Sequence, residues 1–398
     1  MATGDTTTDA ATTGVAAGRP QPQTSVEPAG GPFIRHTQEG RRAMYSTPFA
    51  FGGVVANPMV AAPGYIRGYR TKFQATTAAG TGGVIAATAG GQDAPYSLAQ
   101  LVQLKDAFGT PILTGPGYEM LKLVPEFSGQ FGIDETQDIQ NLPSWTGITA
   151  ASGAFTFATY LPFEFSKGYG VISGANASLL PTLQINMAAA TTLFSTSPTT
   201  LPTLNLQVDA DFYWLPEGVA VEPPGIGTTC QYIYQPCNPT IATGGSVIVQ
   251  LPRLGGYLTC LILEMRDSAG ARVDGWAARP RFYLDGVPLI DSDLNTIFDD
   301  MAIQSQVGGG VAGTQTGAST PQTPRPPGVI AISRKTSLAQ RSFGLFDTGE
   351  EFLSTNPGTQ IEVSGMPWGT IGSSPATLNA IVGQVVPSGA LIQGLPEV

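Results

Sequence analysis

Apolar and polar residues alternate along much of this chain, with the two-residue period of a strand. Leu204-Asn205-Leu206-Gln207-Val208-Asp209-Ala210-Asp211-Phe212 alternates without a break, which predicts a strand with one buried and one wet face. Ala154-Phe155-Thr156-Phe157-Ala158-Thr159-Tyr160 carries alternating aromatics, and Pro162-Phe163-Glu164-Phe165 continues the pattern. Val247–Val249, Arg281–Leu284, Val329–Ile332 and Gln360–Val363 read as further strands. Two stretches have helical spacing instead. Ser97 can cap a helix carrying Leu98, Leu101, Val102 and Phe108 on one face. Ser292 can cap another carrying Leu294, Ile297, Phe298 and Met301.

The chain also repeats itself. Gly64-Tyr65 opens the strand-like run to Phe73, and Gly256-Tyr257 opens a similar run to Met265. Leu193-Phe194-Ser195-Thr196-Ser197-Pro198-Thr199-Thr200 is echoed by Phe352-Leu353-Ser354-Thr355-Asn356-Pro357-Gly358-Thr359, in the same order relative to the first marker. Two copies of one domain with different loop lengths would produce this pattern. Gly109-Thr110-Pro111-Ile112-Leu113 follows the first expected helix, whereas Gly286-Val287-Pro288-Leu289-Ile290 precedes the second. These segments are therefore similar in character rather than aligned.

Between and around the copies the texture changes. Residues 1–30 are Thr, Ala, Gly and Pro with few charges and cannot bury enough apolar area to offset chain entropy. Residues 31–45 set Phe33, Ile34, Met44 and Tyr45 among Arg35, His36, Arg41 and Arg42, with Glu39 opposing. Such a stretch is either a connector packed on the domain or an arm lying on an anionic surface. Residues 216–227, rich in Pro and Gly, read as an interdomain linker. Residues 305–328, from Gly308-Gly309-Gly310 to Pro324-Arg325-Pro326-Pro327, read as an exposed loop. The expected division is an arm at 1–45, a first domain at 46–215, a linker at 216–240, a second domain at 241–365 and a C-terminal arm at 366–398.

Composition narrows the class. Of 398 residues, 12% are charged, against the ~25% usual in soluble proteins. A chain with so little charged surface is expected to cover much of itself with copies of itself. The 50 Gly and 33 Pro are aperiodic and favour turn-rich β structure over collagen. The net charge of −10 argues against wrapping nucleic acid. No apolar run is long enough for a membrane span, and no leader peptide is expected.

Little chemistry is legible. His36 is the one histidine and precedes the domains, so a triad built on it would be poorly held. Cys230, Cys237 and Cys260 lack zinc spacing. Cys230 and Cys237 could pair, although reduced thiols are the simpler reading. Asp291-Ser292-Asp293-Leu294-Asn295 begins like a calcium loop, but Thr296 and Ala302 stand where Gly and Glu are required. Asp134 and Glu135 read as solvated loop carboxylates rather than an acid–base pair. The expectation is no catalysis, no metal and no cofactor. A double-barrel oxidoreductase would need more histidines, and a double-barrel lectin would need a calcium site or an exposed aromatic face.

Gly64-Tyr65-Ile66-Arg67-Gly68-Tyr69 and Leu104-Lys105-Asp106-Ala107-Phe108-Gly109-Thr110-Pro111-Ile112-Leu113 resemble the first barrel of a tectivirus-type major capsid protein. Leu353-Ser354-Thr355-Asn356-Pro357-Gly358-Thr359-Gln360-Ile361-Glu362-Val363 resembles the last strands of the second barrel. The resemblance spans residues 45–365. It implies an all-β fold of two tandem eight-stranded jelly rolls, and pseudo-hexagonal homotrimers in the icosahedral shell of a tailless bacteriophage. It also implies an enclosed membrane vesicle, with penton and minor capsid proteins as further partners. Under the resemblance Phe33, Ile34, Arg35, Arg41 and Arg42 form an arm reaching toward lipid. Gly308, Gly309, Gly310, Pro324, Arg325 and Pro326 belong to an exposed outer loop. The expected location is the virion, with assembly in the host cytoplasm and no direct nucleic-acid contact.

Overall fold

The strand Thr203–Trp214 alternates as its sequence requires. Leu204, Leu206, Val208 and Ala210 are buried, while Asn205, Gln207, Asp209 and Asp211 take the other face. The computed structural model describes residues 33–76, 84–85, 93, 95–127, 155–165, 168–196, 199–217, 221–224, 228–237, 247–249, 257–267, 269–276, 279–284, 286–305, 307–311, 323–333, 353–354, 361–364 and 377–387.

Sixteen principal strands among these residues fall into two sets of eight. The first set is β1 (Gln38–Phe49), β2 (Val54–Val55), β3 (Tyr65–Thr76), β4 (Ala99–Lys105), β5 (Pro111–Gly115), β6 (Phe155–Pro162), β7 (Thr182–Met187) and β8 (Thr203–Trp214). The second is β9 (Thr228–Cys237), β10 (Val247–Val249), β11 (Tyr257–Arg266), β12 (Arg281–Leu284), β13 (Val287–Asp291), β14 (Val329–Ser333), β15 (Ile361–Ser364) and β16 (Thr377–Pro387). The first set makes the sheets β1-β8-β3-β6 and β2-β7-β4-β5. The second makes β9-β16-β11-β14 and β10-β15-β12-β13, the same order advanced by eight. Each set is a jelly roll, two four-stranded sheets wound as Greek keys.

The repetition reaches single residues. In the first roll Tyr65 faces Tyr213 and Ile66 faces Phe212, then the register slips so that Gly68 faces Asp211. In the second, Tyr257 faces Val385 and Leu258 faces Gln384, then Cys260 faces Gly383. The β-bulge therefore falls at the same step after Tyr65 and after Tyr257. A second bulge also recurs. Leu104 faces Leu113 before Lys105 faces Pro111, and Phe282 faces Ile290 before Tyr283 faces Pro288. Gly109 (φ 85°) and Gly286 (φ 79°) make the two turns that feed these hairpins.

The rolls are joined edge to edge. β5 pairs in parallel with β9, Tyr232 opposite Leu113 and Ile233 opposite Thr114. This fuses sheets of the two rolls into one sheet of nine strands, with the joined edge strands running parallel. One apolar core runs through both, from Phe73 stacked on Phe157 at 4.7 Å to Leu261, Phe282 and Ile381. The central strands β11 and β16 are buried on both faces over most of their length. A side chain at Gly383 would meet Cys260 Sγ at 2.5 Å and the Tyr232 ring at 2.8 Å, so glycine is required there.

Several expectations change. Leu98, Leu101 and Val102 do not form a helix: Tyr96–Leu98 is a single 3-10 turn and Ala99–Lys105 is β4. Val102 and Leu104 are buried at strand spacing, and pairing with β5 and β7 overrides the local pattern. The first roll's helical element is Glu119–Leu123 running into Val124–Phe127, after β5. The helix Leu294–Ser305 follows β13 in the same place. The two glycine-proline segments are thus equivalent after all. The Ser-Thr markers are not: Phe194–Thr196 lies between β7 and β8, whereas Leu353–Ser354 lies between β14 and β15. The expected linker holds β9, and the expected C-terminal arm holds β16, whose ten register pairs with β9 make it central. Residues 38–45 of the expected arm are the first two thirds of β1, held along β8.

Candidate assembly surfaces

The strand directions define two ends. β1, β3, β5, β9 and β11 all start at one end, called the base here, and β8 finishes there. The N-terminal turn Phe33–His36 leads into β1 at the base. Phe33 is buried, edge-on to Tyr65 at 5.5 Å and Tyr213 at 5.6 Å, and Ile34 packs on the same small cluster. These side chains therefore face the protein and not a membrane, because the Tyr65 and Tyr213 rings, with Val171, supply them a drier and fixed site. Met44 is likewise buried and Tyr45 is half-buried. Arg35, Arg41 and Arg42 are exposed.

An ion cluster fixes the base. Arg67 Nε donates to Glu164 at 2.7 Å and the guanidinium reaches Glu39 at 3.2 Å. It also lies 4.5 Å over the Tyr213 ring. Glu164 is buried and accepts from the Tyr213 hydroxyl at 2.7 Å and the Gly168 N–H at 2.5 Å. The Tyr213 hydroxyl is held protonated, first by burial and then by the Glu164 charge. Higher on the sheet, Arg41 donates to Asp211 at 2.6 Å, and Arg70 approaches the same carboxylate at 3.4 Å.

The base also gathers exposed apolar side chains. Val60 lies between β2 and β3, Phe108 in the β4–β5 turn, Leu179 between β6 and β7, Trp214 at the end of β8 and Tyr257 at the start of β11. All are at least 43% exposed, and they make five of the seven exposed large apolar residues among those described.

The opposite end carries the connections after β5 and β13. Gly308, Gly309 and Gly310 fall in the short strand Val307–Val311, which pairs in parallel with Thr323–Arg325 and so includes Pro324 and Arg325. Residues 312–322 lie outside the described residues. Pro326 is buried, contrary to its expected exposure. It precedes Gly328 (φ 76°), whose backbone is packed against the Met265 carbonyl and Val273.

Sequence reasoning missed a second ion cluster, at this far end of the joint between rolls. Asp93 and Glu119 come from the first roll, and Glu264, Arg266 and Arg272 from the second. Arg266 reaches Asp93 at 2.7 Å, Glu264 at 2.7 Å and Glu119 at 3.0 Å. Arg272 donates to Asp93 at 2.9 Å and lies 4.0 Å over the Tyr118 ring. Burial, and then the Glu264 charge, push the Glu119 carboxyl well above its ordinary range, while Arg266 acts in the opposite sense. Partners up to 179 residues apart in sequence leave no local signal.

Cys230 and Cys260 are buried, and the Cys230 sulfur lies 3.8 Å from the Thr259 hydroxyl. Cys230 and Cys237 sit seven positions apart on β9, a span of roughly 23 Å at ~3.3 Å per residue, so they cannot pair within one chain. Asp291 pairs with Arg279 and Arg281, and the helix after it begins at Leu294. Among the described residues no group of three or more His, Cys, Asp or Glu could hold a metal ion, and no helix is long and apolar enough to cross a membrane. Asp134 and Glu135 lie outside the described residues.

No family model and no curated protein matches the chain. Solved structures do. The atomic structure of Sulfolobus Turreted Icosahedral Virus matches with a TM-score of 0.58 at 12% identity, over 90% of this chain and 94% of that one. The crystal structure of the STIV MCP matches with a TM-score of 0.57 at 12% identity, over 89% and 98%. The PBCV-1 virus capsid matches with a TM-score of 0.54 at 13% identity, over 91% and 98%. These likenesses define the fold class: the chain is an all-β double jelly roll, of the kind seen in viral major capsid proteins.

Proposed function

We propose that this chain is the major capsid protein of an icosahedral virus of the tectivirus type, a tailless bacteriophage whose shell encloses a membrane vesicle. The observation that carries the reading is the pair of jelly rolls joined through the parallel strands β5 and β9, matched nearly end to end by viral capsid folds. Three chains present six rolls, so a threefold molecule can fill a sixfold position. Interfaces then carry the stability, and 12% charged residues suits surfaces that are desolvated on assembly.

In this reading the base faces inward. Its exposed Val60, Phe108, Leu179 and Trp214, with the exposed Arg35 in the turn entering β1 at the same end, suit the headgroup level of an anionic membrane. The lipid contact first expected of Phe33 and Ile34 passes to these residues. The far end, with the connection that contains Gly308–Gly310, faces outward. Partners are neighbouring trimers, penton and minor capsid proteins and lipid, with no cofactor and no catalysis. Quantitative mass spectrometry of purified particles tests the role. The account expects this chain to be the most abundant shell protein. A copy number far below that of another shell protein would make it a minor capsid or spike protein instead.

A further inference from the structure

The joint between the two rolls is asymmetric: an edge of the first roll, β5, meets an edge of the second, β9. Each edge has a counterpart in the other roll. β9 is the second roll's version of β1, and β13 is the second roll's version of β5. Among the described residues β1 and β13 stand at the ends of their sheets with no neighbour on the outer side.

The register carries the equivalence to single residues. Tyr213 and Val385 occupy the same place, because each faces the residue that opens its roll's third strand, Tyr65 or Tyr257. On the other side Tyr213 faces Glu39, and Val385 faces Cys230. Counting two and three steps onward, Arg41 stands where Tyr232 stands, and Arg42 where Ile233 stands. On the other edge Pro111 corresponds to Pro288, since each follows the shared bulge. Leu113 therefore corresponds to Ile290, and Thr114 to Asp291. The joint within the chain brings Tyr232 to Leu113 and Ile233 to Thr114. Repeated between chains, it brings Arg41 to Ile290 and Arg42 to Asp291.

The charges fit this mapping. Arg42 is exposed and makes no ion pair among the described residues, and the Asp291 carboxylate, 37% exposed and already 2.8 Å from Arg279 and 3.3 Å from Arg281, keeps an open side on which a further guanidinium can join the cluster. Opposite charges on facing strand positions stabilise a sheet, and like charges oppose it. A twelve-residue edge such as β1 is otherwise a liability that folded proteins cover or blunt.

We propose that a second copy of this chain repeats the inter-roll joint between molecules, laying β1 of one copy parallel to β13 of the next, with Arg42 opposite Asp291. This deepens the capsid reading above and rests on it. The contact is head-to-tail, so it closes only as a ring, and three chains of two rolls each make a ring of six equivalent joints.

Cross-linking tests the register. Neighbouring strands lie ~4.8 Å apart, within the Cα separation that a disulfide spans. The chain carrying both Arg42→Cys and Asp291→Cys is oxidised and run without reductant, beside a control carrying Lys72→Cys and Asp291→Cys, since Lys72 is on β3 inside the same sheet. The expected result is covalent dimers and trimers from the first pair, none from the control, and native trimers from both by mass. Native trimers with no cross-link above the control would overturn the β1–β13 joint and leave the capsid reading intact. A monomer by native mass would overturn both. Charge reversal gives an independent readout. Arg42→Asp weakens association at low salt by about fivefold, the upper part of the range for one facing pair, whereas Arg42→Lys, which keeps the charge, leaves it close to the parent. No loss in Arg42→Asp, or an equal loss in Arg42→Lys, would contradict the pairing.

Discussion

Replacing Arg266 with methionine removes the charge that ties the two rolls at their far end. The Arg266 side chain is 13% exposed and touches Asp93, Glu264 and Glu119 within 3.0 Å. Methionine keeps much of the apolar length and leaves three carboxylates facing one remaining guanidinium, that of Arg272. Removing one partner of a buried ion pair costs about 3–5 kcal/mol, because the orphaned charge stays dry. At ~2.1 cal/mol/K of unfolding entropy per residue, this lowers the Tm by about 4–6 °C if the chain melts as one unit. Differential scanning calorimetry at neutral pH measures it. A shift below about 1 °C would refute the reasoning, since the cluster would then be contributing no more than a surface pair. The same cluster predicts a pH dependence. Burial, and then the Glu264 charge, raise the Glu119 pKa well above its ordinary range in the folded chain. The folded chain therefore keeps a proton on Glu119 to higher pH than the unfolded chain does. That contribution is fully present below the ordinary value of 4.5 and is lost as pH rises through the folded value. Glu119→Gln, which is neutral at every pH, should flatten the alkaline decline in Tm. An unchanged slope would place the proton elsewhere.

Three further outcomes are expected. Gly64 has φ 75°, and a Cβ there would collide with the Tyr213 carbonyl, so Gly64→Ala should destabilise by roughly 2 kcal/mol or more in chemical denaturation; a loss under a few tenths would contradict the packing. Alkylation of the denatured, unreduced chain should modify all three cysteines, because β9 holds Cys230 and Cys237 far apart; an intact Cys230–Cys237 bridge within one chain would mean that β9 is not a strand. Trp214→Ser with Phe108→Ser should leave trimers intact and lower binding to vesicles containing phosphatidylserine several-fold; unchanged binding would remove lipid from the base.

The sequence made the β texture and the duplication legible because both are local or nearly so. Strands such as β8 announce themselves by alternation, and Gly64 and Gly256 mark the same strand of each roll. The unmarked strands were those whose neighbours, rather than their own pattern, decide their state. β16 is buried on both faces, so it has no alternation to read. β9 stood hidden beside the Pro and Gly of residues 216–227. Leu98, Leu101 and Val102 had helical spacing by coincidence, and two flanking strands settled the matter. The ion clusters were invisible for a different reason. Glu164 and Arg67, or Arg272 and Asp93, become partners only through the topology, and no short-range spacing encodes that.

The central claim is that this double roll is a shell building block that works in threes. The most direct test is the mass of the native species at micromolar concentration, by light scattering on a sizing column. The account predicts a stable species at three times 41.3 kDa, or larger particles built from it. A monomer that stays monomeric across concentration and salt would contradict it.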